Sequence, residues 1–300
     1  MMWHDADLVV YNMEKIQYRK INQGGSIMGT IEQFKTYLIQ EEKSPLTVEK
    51  YLRDVRFFLK WLNGRMIIKA EVLSYKEALM ESYAVASVNS MLSSLNCYLN
   101  FIGRADCQVK TIKQQRRTFC AAEKELTKQE YERLLAAAKE KPRLCLLMQT
   151  ICATGIRVSE HRFVTVEAAR LGYAEVRLKG KYRVVFLPKK LCKMLLNYAR
   201  ENKIRQGSIF VTSTGKPLNR CRIWAEMKKL CRTAGVSREK VFPHNLRHLF
   251  ARTFYGLEKD IVRLADILGH SSTNTTRIYT IESGETHRRQ IEKMKLLLMT

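Results

Sequence analysis

From Thr30 to Ile102 the apolar residues recur at helical spacing, and then the pattern stops. The runs "TIEQFKTYLIQEE", "SPLTVEKYLRDVRFFLKWLN", "EVLSYKEALMES" and "VASVNSMLSSLNCYLNFI" predict about four helices. In the second, Ser44 is placed to cap, Pro45 suits the first helical position, and Val48, Tyr51, Leu52, Val55, Leu59 and Leu62 share a face. Residues 103–124, "GRADCQVKTIKQQRRTFCAAEK", have no such period but carry Arg104, Lys110, Lys113, Arg116, Arg117 and Lys124. A basic connector between two folding units is the reading, lying along a nucleic-acid backbone.

Helical spacing returns at "LTKQEYERLLAAAKE", where Thr127 and Glu130 have the spacing of a capping box. It continues through "PRLCLLMQTICATG", which Gly155 is placed to end. The period then shortens. "AEVRLK" and "YRVVFL", joined by Gly180-Lys181, predict a β-hairpin, with "GSIFVT" as a third strand. Further helices are expected at "KKLCKMLLNYAREN", "RCRIWAEMKKLCRTAG", "HNLRHLFARTFYG", "DIVRLADILG" and "THRRQIEKMKLLLM". The expected fold is therefore mainly α with a small β-sheet. Its divisions are a flexible extension over 1–28, or an upstream start ahead of Met28, a helical domain over 29–103, the linker over 104–124 and a second domain over 125–300.

Charge narrows the partner. Fifty-three Lys and Arg against 29 Asp and Glu leave +24, which suits a polyanion, because each phosphate contacted releases condensed counterions. With 46% hydrophobic residues the chain can bury a core, which excludes a disordered basic tail. Eight cysteines without a C-x-x-C pair read as thiols of a reduced compartment. The absence of a secretory pattern and of any long apolar run places the chain in the cytoplasm, away from membranes.

The chemistry is concentrated around "FPHNLRHLFART". His244, Arg247 and His248 fall on one helix face. A zinc-peptidase helix would have Glu where Asn245 stands, and Arg247 would repel a cation, so a phosphate suits this face better than a metal. Upstream, "ATGIRVSE" sets Arg157 just after a helix-ending glycine with Glu160 able to orient it. Downstream, "LGHSS" sets His270 after another such glycine, nine residues before Tyr279. Singly these read as a surface cap, a loop histidine and a core tyrosine.

In order and separation, "ATGIRVSE", a hairpin lysine, "HNLRH", "LGHSS" and Tyr279 resemble the tyrosine recombinase (phage integrase) family, and the short Xer-like and mobile-element integrases within it. The resemblance runs from about residue 29 to the C-terminus. It implies a helical core-binding (SAM-like) N-terminal domain and an α+β catalytic domain that clamp duplex DNA. It also implies pairs on inverted half-sites and a homotetramer on two duplexes, with a monomer possible without DNA. Arg157, Lys179, His244, Arg247, His270 and Tyr279 would be the active-site positions, with no cofactor and no metal.

In that reading Tyr279 becomes joined to a 3′-phosphate while Arg157 and Arg247 clamp its non-bridging oxygens. His244 and His270 add hydrogen bonds, with His244 taking the tyrosine proton, and a lysine protonates the departing 5′-oxygen. The result would be site-specific recombination, for integration or excision of a mobile element or for Xer-like resolution. A type IB topoisomerase is the alternative, and a DNA-binding regulator would need no such constellation. Two departures stand out. "RLKGKYR" is a residue shorter than the family's usual Gly-Lys-Gly hairpin, which leaves Lys179 the better match and Lys181 the competitor. His161 occupies a position that is usually apolar.

Overall fold

The computed structural model describes residues 27–113, 125–178, 181–270, 272–279 and 292–294. The extension over 1–26, the middle of the connector and most of the expected C-terminal helix lie outside them. The chain divides into two compact units at 116/117.

The first unit has four helices, α1 (Ile27–Gln40), α2 (Pro45–Leu62), α3 (Lys69–Ser82) and α4 (Val85–Phe101). As its sequence predicts, α2 starts behind Ser44, whose side chain accepts from the Thr47 N–H. Val48, Leu52, Val55, Phe58 and Leu62 are its buried apolar face; Tyr51 and Leu59 pack at the margin. Phe34, Leu38, Val72, Val88, Leu92 and Leu99 are among the residues that share the core with it. One carboxylate is inside it. Asp54 is held 2.6 Å from Lys50 Nζ, and Ser94 Oγ donates to it at 2.8 Å, so its charge is compensated.

Residues 104–113, the start of the basic connector, are tied to the first unit. Asn96 exchanges hydrogen bonds with the Val109 backbone and Asn89 with that of Ile112. Cys107 and Val109 are buried in the helical core. Two side-chain amides mimic a β-ladder partner, so the start of the connector packs as part of the first unit.

The second unit is built around α6 (Pro142–Thr154), preceded by α5 (Lys128–Ala137), whose Thr127 and Glu130 form the expected capping box. Leu144, Leu146, Leu147, Met148, Thr150 and Ile151 of α6 are all buried, as befits a central helix. A short helix α7 (Val166–Leu171) leads into β1 (Tyr173–Leu178) and β2 (Lys181–Phe186), an antiparallel pair with Leu178 opposite Lys181. Lys181 opens β2, so the hairpin is not joined at Gly180-Lys181 as the sequence suggested; 179–180 lie outside the described residues. After α8 (Lys189–Glu201), "GSIFVT" makes only isolated bridges, Thr165 to Ser208 and Val211 to Pro217, and not a third strand. Consecutive Ile209 and Phe210 are both fully buried, which a strand with alternating faces does not allow on a half-covered sheet.

The expected helix at "RCRIWAEMKKLCRTAG" divides into α9 (Arg220–Lys228) and α10 (Cys231–Ala234). Then come α11 (Pro243–Glu258), α12 (Ile261–Leu268), α13 (Thr273–Thr276) and a 3-10 turn, Arg277–Tyr279. α11 lies on α6 and against α12, which places "HNLRH" beside both helix-ending glycines.

Candidate active site

The site forms where three helix ends meet. α6 ends in Gly155, with φ +65°, and a Cβ there would stand 2.5 Å from Phe250 Cδ1 of α11. Glycine is thus required twice, for the left-handed backbone and for the close approach. α12 ends in the same way at Gly269, also with φ +65°. α11 begins at Pro243, whose fixed φ suits a first turn.

Arg247 points from α11 into this junction and is 1% exposed. Its Nη1 donates to Gly155 O at 2.6 Å, and its Nη2 donates to Leu268 O at 2.8 Å and to His270 Nε2 at 2.9 Å. Burial, and then Arg157, brings its pKa down to about 10, so it remains a cation at neutral pH.

Arg157 follows the α6 turn and is 38% exposed. Its backbone N–H and its Nη1 donate to the two oxygens of Glu160 at 2.8 and 2.9 Å, and its Nη2 reaches Gly269 O at 3.4 Å. Arg183 from β2 donates to the same carboxylate at 2.6 Å and also to Ile267 O. Burial pushes the Glu160 pKa up, but Arg183 and Arg157 outweigh it and hold the carboxyl below its usual value. The last three carbonyls of the α12 end, Ile267, Leu268 and Gly269, therefore accept from Arg183, Arg247 and Arg157 in turn. A helix C-terminus is negative and leaves carbonyls unpaired, so together with Glu160 it gathers these guanidiniums.

His270 follows that end directly. Because Arg247 has only hydrogens to offer, His270 Nε2 must accept, which leaves the proton on Nδ1, 2.8 Å from Thr276 Oγ1. Burial first, and then Arg247, Arg157 and Arg183, lower its pKa to about 4. Tyr279 is 5% exposed and packs on Ala251, Leu264 and Leu268. Its ring stacks on His270 with centroids 6.2 Å apart and meets His248 edge-on at 5.0 Å. His248 in turn meets His244 at 4.5 Å. His244 is exposed, and its pKa is lowered by loss of hydration and by Arg247 and Arg157.

Five of the six residues named from sequence, Arg157, His244, Arg247, His270 and Tyr279, thus share one junction. Lys179 lies outside the described residues. Among those described, no cluster of three His, Cys, Asp or Glu side chains is placed to hold a metal ion. The set brings together guanidiniums, which suit an anion, and a phenol, a nucleophile toward it.

Known proteins carry the same order of parts. Residues 124–285 match the phage integrase family and residues 31–106 match the phage integrase N-terminal SAM-like domain. The chain belongs to the phage integrase family. It is 30% identical over 279 residues to tyrosine recombinase XerA of Thermococcus kodakarensis, covering 89% of this chain and 95% of that protein. It is 38% identical over 141 residues to tyrosine recombinase XerH of Campylobacter jejuni, covering 45% of this chain and 40% of that one. The fold is shared with a lambda integrase dimer bound to a core site, with a TM-score of 0.67 and 18% identity over 84% of this chain and 94% of the other. A post-cleavage complex of XerH with its palindromic substrate gives 0.67 and 19%, covering 92% and 86%.

Arg183 and Thr276 are the residues of this junction that the sequence did not single out. Arg183 resembles any charged strand residue, and Thr276 any helix-cap threonine. His248 was visible in "HNLRH" without a role. His161 is explained: it is 4% exposed, its Nδ1 lies 2.5 Å from Val158 O, and its ring meets Phe210 edge-on. Burial lowers its pKa, which makes it a neutral core residue.

Proposed function

We propose that the protein is a site-specific DNA recombinase that cuts and rejoins strands through Tyr279. The observation that carries the proposal is the meeting of Arg157, Arg247, His270 and Tyr279, from four separate stretches, at one helix end. A phosphodiester bound between Arg157 and Arg247 has its growing transition-state charge met by fixed cations. The Tyr279 oxygen attacks phosphorus and its proton passes to His244. The bond to the 5′-oxygen breaks, and Lys179 supplies that oxygen's proton. A 5′-hydroxyl from a partner strand reverses the steps without ATP, because the phosphotyrosyl linkage conserves the bond.

Tyr279 and Arg247 are 5% and 1% exposed, so a duplex phosphate reaches both only once His270 and Tyr279 shift on DNA binding. His270 then exchanges the Arg247 hydrogen bond for the phosphate.

DNA is the partner, and structural relatives are bound to it as dimers and tetramers. The finer proposal is pairing on inverted half-sites and a homotetramer on two duplexes. The first unit would act as the core-binding domain, residues 114–124 as a basic linker, and residues from 125 onward as the catalytic domain. The cytoplasm is the proposed compartment, which suits the unbridged cysteines among the described residues. Among those residues no helix is long and apolar enough to cross a membrane.

Recombination is separated from topoisomerase action by incubating the protein with DNA carrying two copies of its mapped site. Exchange of flanking sequence supports the proposal. Relaxation of supercoils without exchange contradicts it.

A further inference from the structure

Arg183 has no place in that reaction, yet its guanidinium is held at two ends. Its side chain is only 12% exposed. One guanidinium nitrogen holds Glu160 and another holds Ile267 O, so a single residue of β2 bridges the Arg157 turn and the end of α12. The contact is shaped from the other side as well. A Cβ on Gly269 would stand 2.4 Å from Arg183 Cδ and 2.9 Å from its Nε, so the glycine before His270 leaves the gap that the arginine fills.

This arrangement bears on Arg157 through Glu160. Without Arg183 the buried carboxylate keeps its two bonds from Arg157, loses the second donor on one oxygen and its tie to the α12 end, and leaves its charge to Arg157. Arg157 would then follow Glu160 and not the phosphate. A surface ion pair could drift without consequence, but Glu160 is 1% exposed and, among the described residues, these two arginines are its ion-pair partners. Two cations beside one carboxylate also leave an excess of positive charge, which suits a phosphate arriving at the exposed one.

We propose that Arg183 is a positioning residue for strand cleavage: by clamping Glu160 against the α12 end, it sets the Arg157 guanidinium in the geometry that receives the scissile phosphate. The proposal rests on the recombinase reading above.

The test is single-turnover cleavage by the full-length protein on its mapped site, made with an ordinary phosphodiester and with a methylphosphonate at the scissile position. The methyl group removes the charge that Arg157 would neutralise. On ordinary DNA, Arg183→Met should cleave on the order of 10-fold to 10²-fold more slowly, approaching the loss of an oxyanion donor, while DNA affinity changes little. On the methylphosphonate the gap from wild type should close to within about 3-fold, since the misplaced donor no longer matters. The double variant Arg183→Met/Arg157→Ala should be no slower than Arg157→Ala, because both act through one group. Arg183→Lys, which keeps the charge but cannot bridge both acceptors, should show the same substrate-dependent defect and serves if the methionine variant does not fold. Wild-type rates for Arg183→Lys, or equal defects on both substrates, would overturn the proposal. Failure of wild type to form a Tyr279 adduct would instead overturn the recombinase reading.

Discussion

Arg247 and His270 stand 2.9 Å apart, the guanidinium donating to the ring Nε2. The bond fixes the histidine tautomer, because an arginine cannot accept, and it joins the second turn of α11 to a residue just beyond α12. The Nδ1 proton is consequently committed to Thr276 Oγ1, which is fully buried. Replacing that threonine by its apolar isostere should therefore be felt at the site. Thr276→Val is expected to cost about 1–3 kcal/mol of stability, as for a buried donor left unpaired, and to slow cleavage. Denaturant unfolding and single-turnover rates check this, and an unchanged protein would mean that His270 is not held as described.

The two clamp arginines should behave differently. Arg157→Ala and Arg247→Ala should each slow cleavage on the order of 10²-fold or more, with much smaller changes in DNA binding. Only Arg247→Ala should also destabilise the fold strongly, since it strips the donors from Gly155 O and Leu268 O in a buried position. Equal losses in binding and cleavage would mark both as backbone contacts.

Acid should loosen the protein before it unfolds the carboxylate network. His248 and His270 have folded pKa values of about 4 against 6.5 when free, burial being the first cause in each. The unfolded chain thus binds more protons between those values, so stability is complete above about pH 6.5 and is lost as pH falls toward 4. The melting temperature should be flat from about pH 7 to 8 and fall below about 6.5, with a smaller slope in His248→Gln. An identical slope in the variant would contradict the buried neutral state.

The general acid is the point at which sequence and backbone pull apart. The motif order selects Lys179, whereas the register makes Lys181 the first residue of β2, two positions before Arg183. A scissile 5′-sulfur leaves without a proton, so the acid's variant should be slow on normal DNA and rescued on the sulfur substrate. Rescue is expected for Lys179→Ala and not for Lys181→Ala. The reverse result would move the assignment to Lys181 and leave the recombinase reading intact.

What was legible in the sequence followed from its physics. Helical spacing and caps such as Ser44 and Thr127 are local, and they fixed α2 and α5 closely. Arg157, Arg247, His270 and Tyr279 were visible because their motifs keep a fixed order along the chain. Arg183 was not, because its partners Glu160 and Ile267 are distant in sequence and a lone arginine in a hairpin looks solvated. The amides of Asn89 and Asn96 were equally silent: on a helix they read as polar surface, yet they hold residues 109–112 to the first unit. "GSIFVT" misled because β-branched residues signal burial as well as strand, and here burial won.

The central claim is tested most directly by identifying the residue that becomes joined to DNA. The protein is mixed in EDTA with a suicide substrate carrying its mapped site, digested, and sequenced by mass spectrometry. The expected result is a peptide carrying a 3′-phosphonucleotide on Tyr279, absent from Tyr279→Phe although that variant still binds the DNA. An adduct on another residue, a 5′-phosphate linkage, or no cleavage until a divalent metal is added would contradict it.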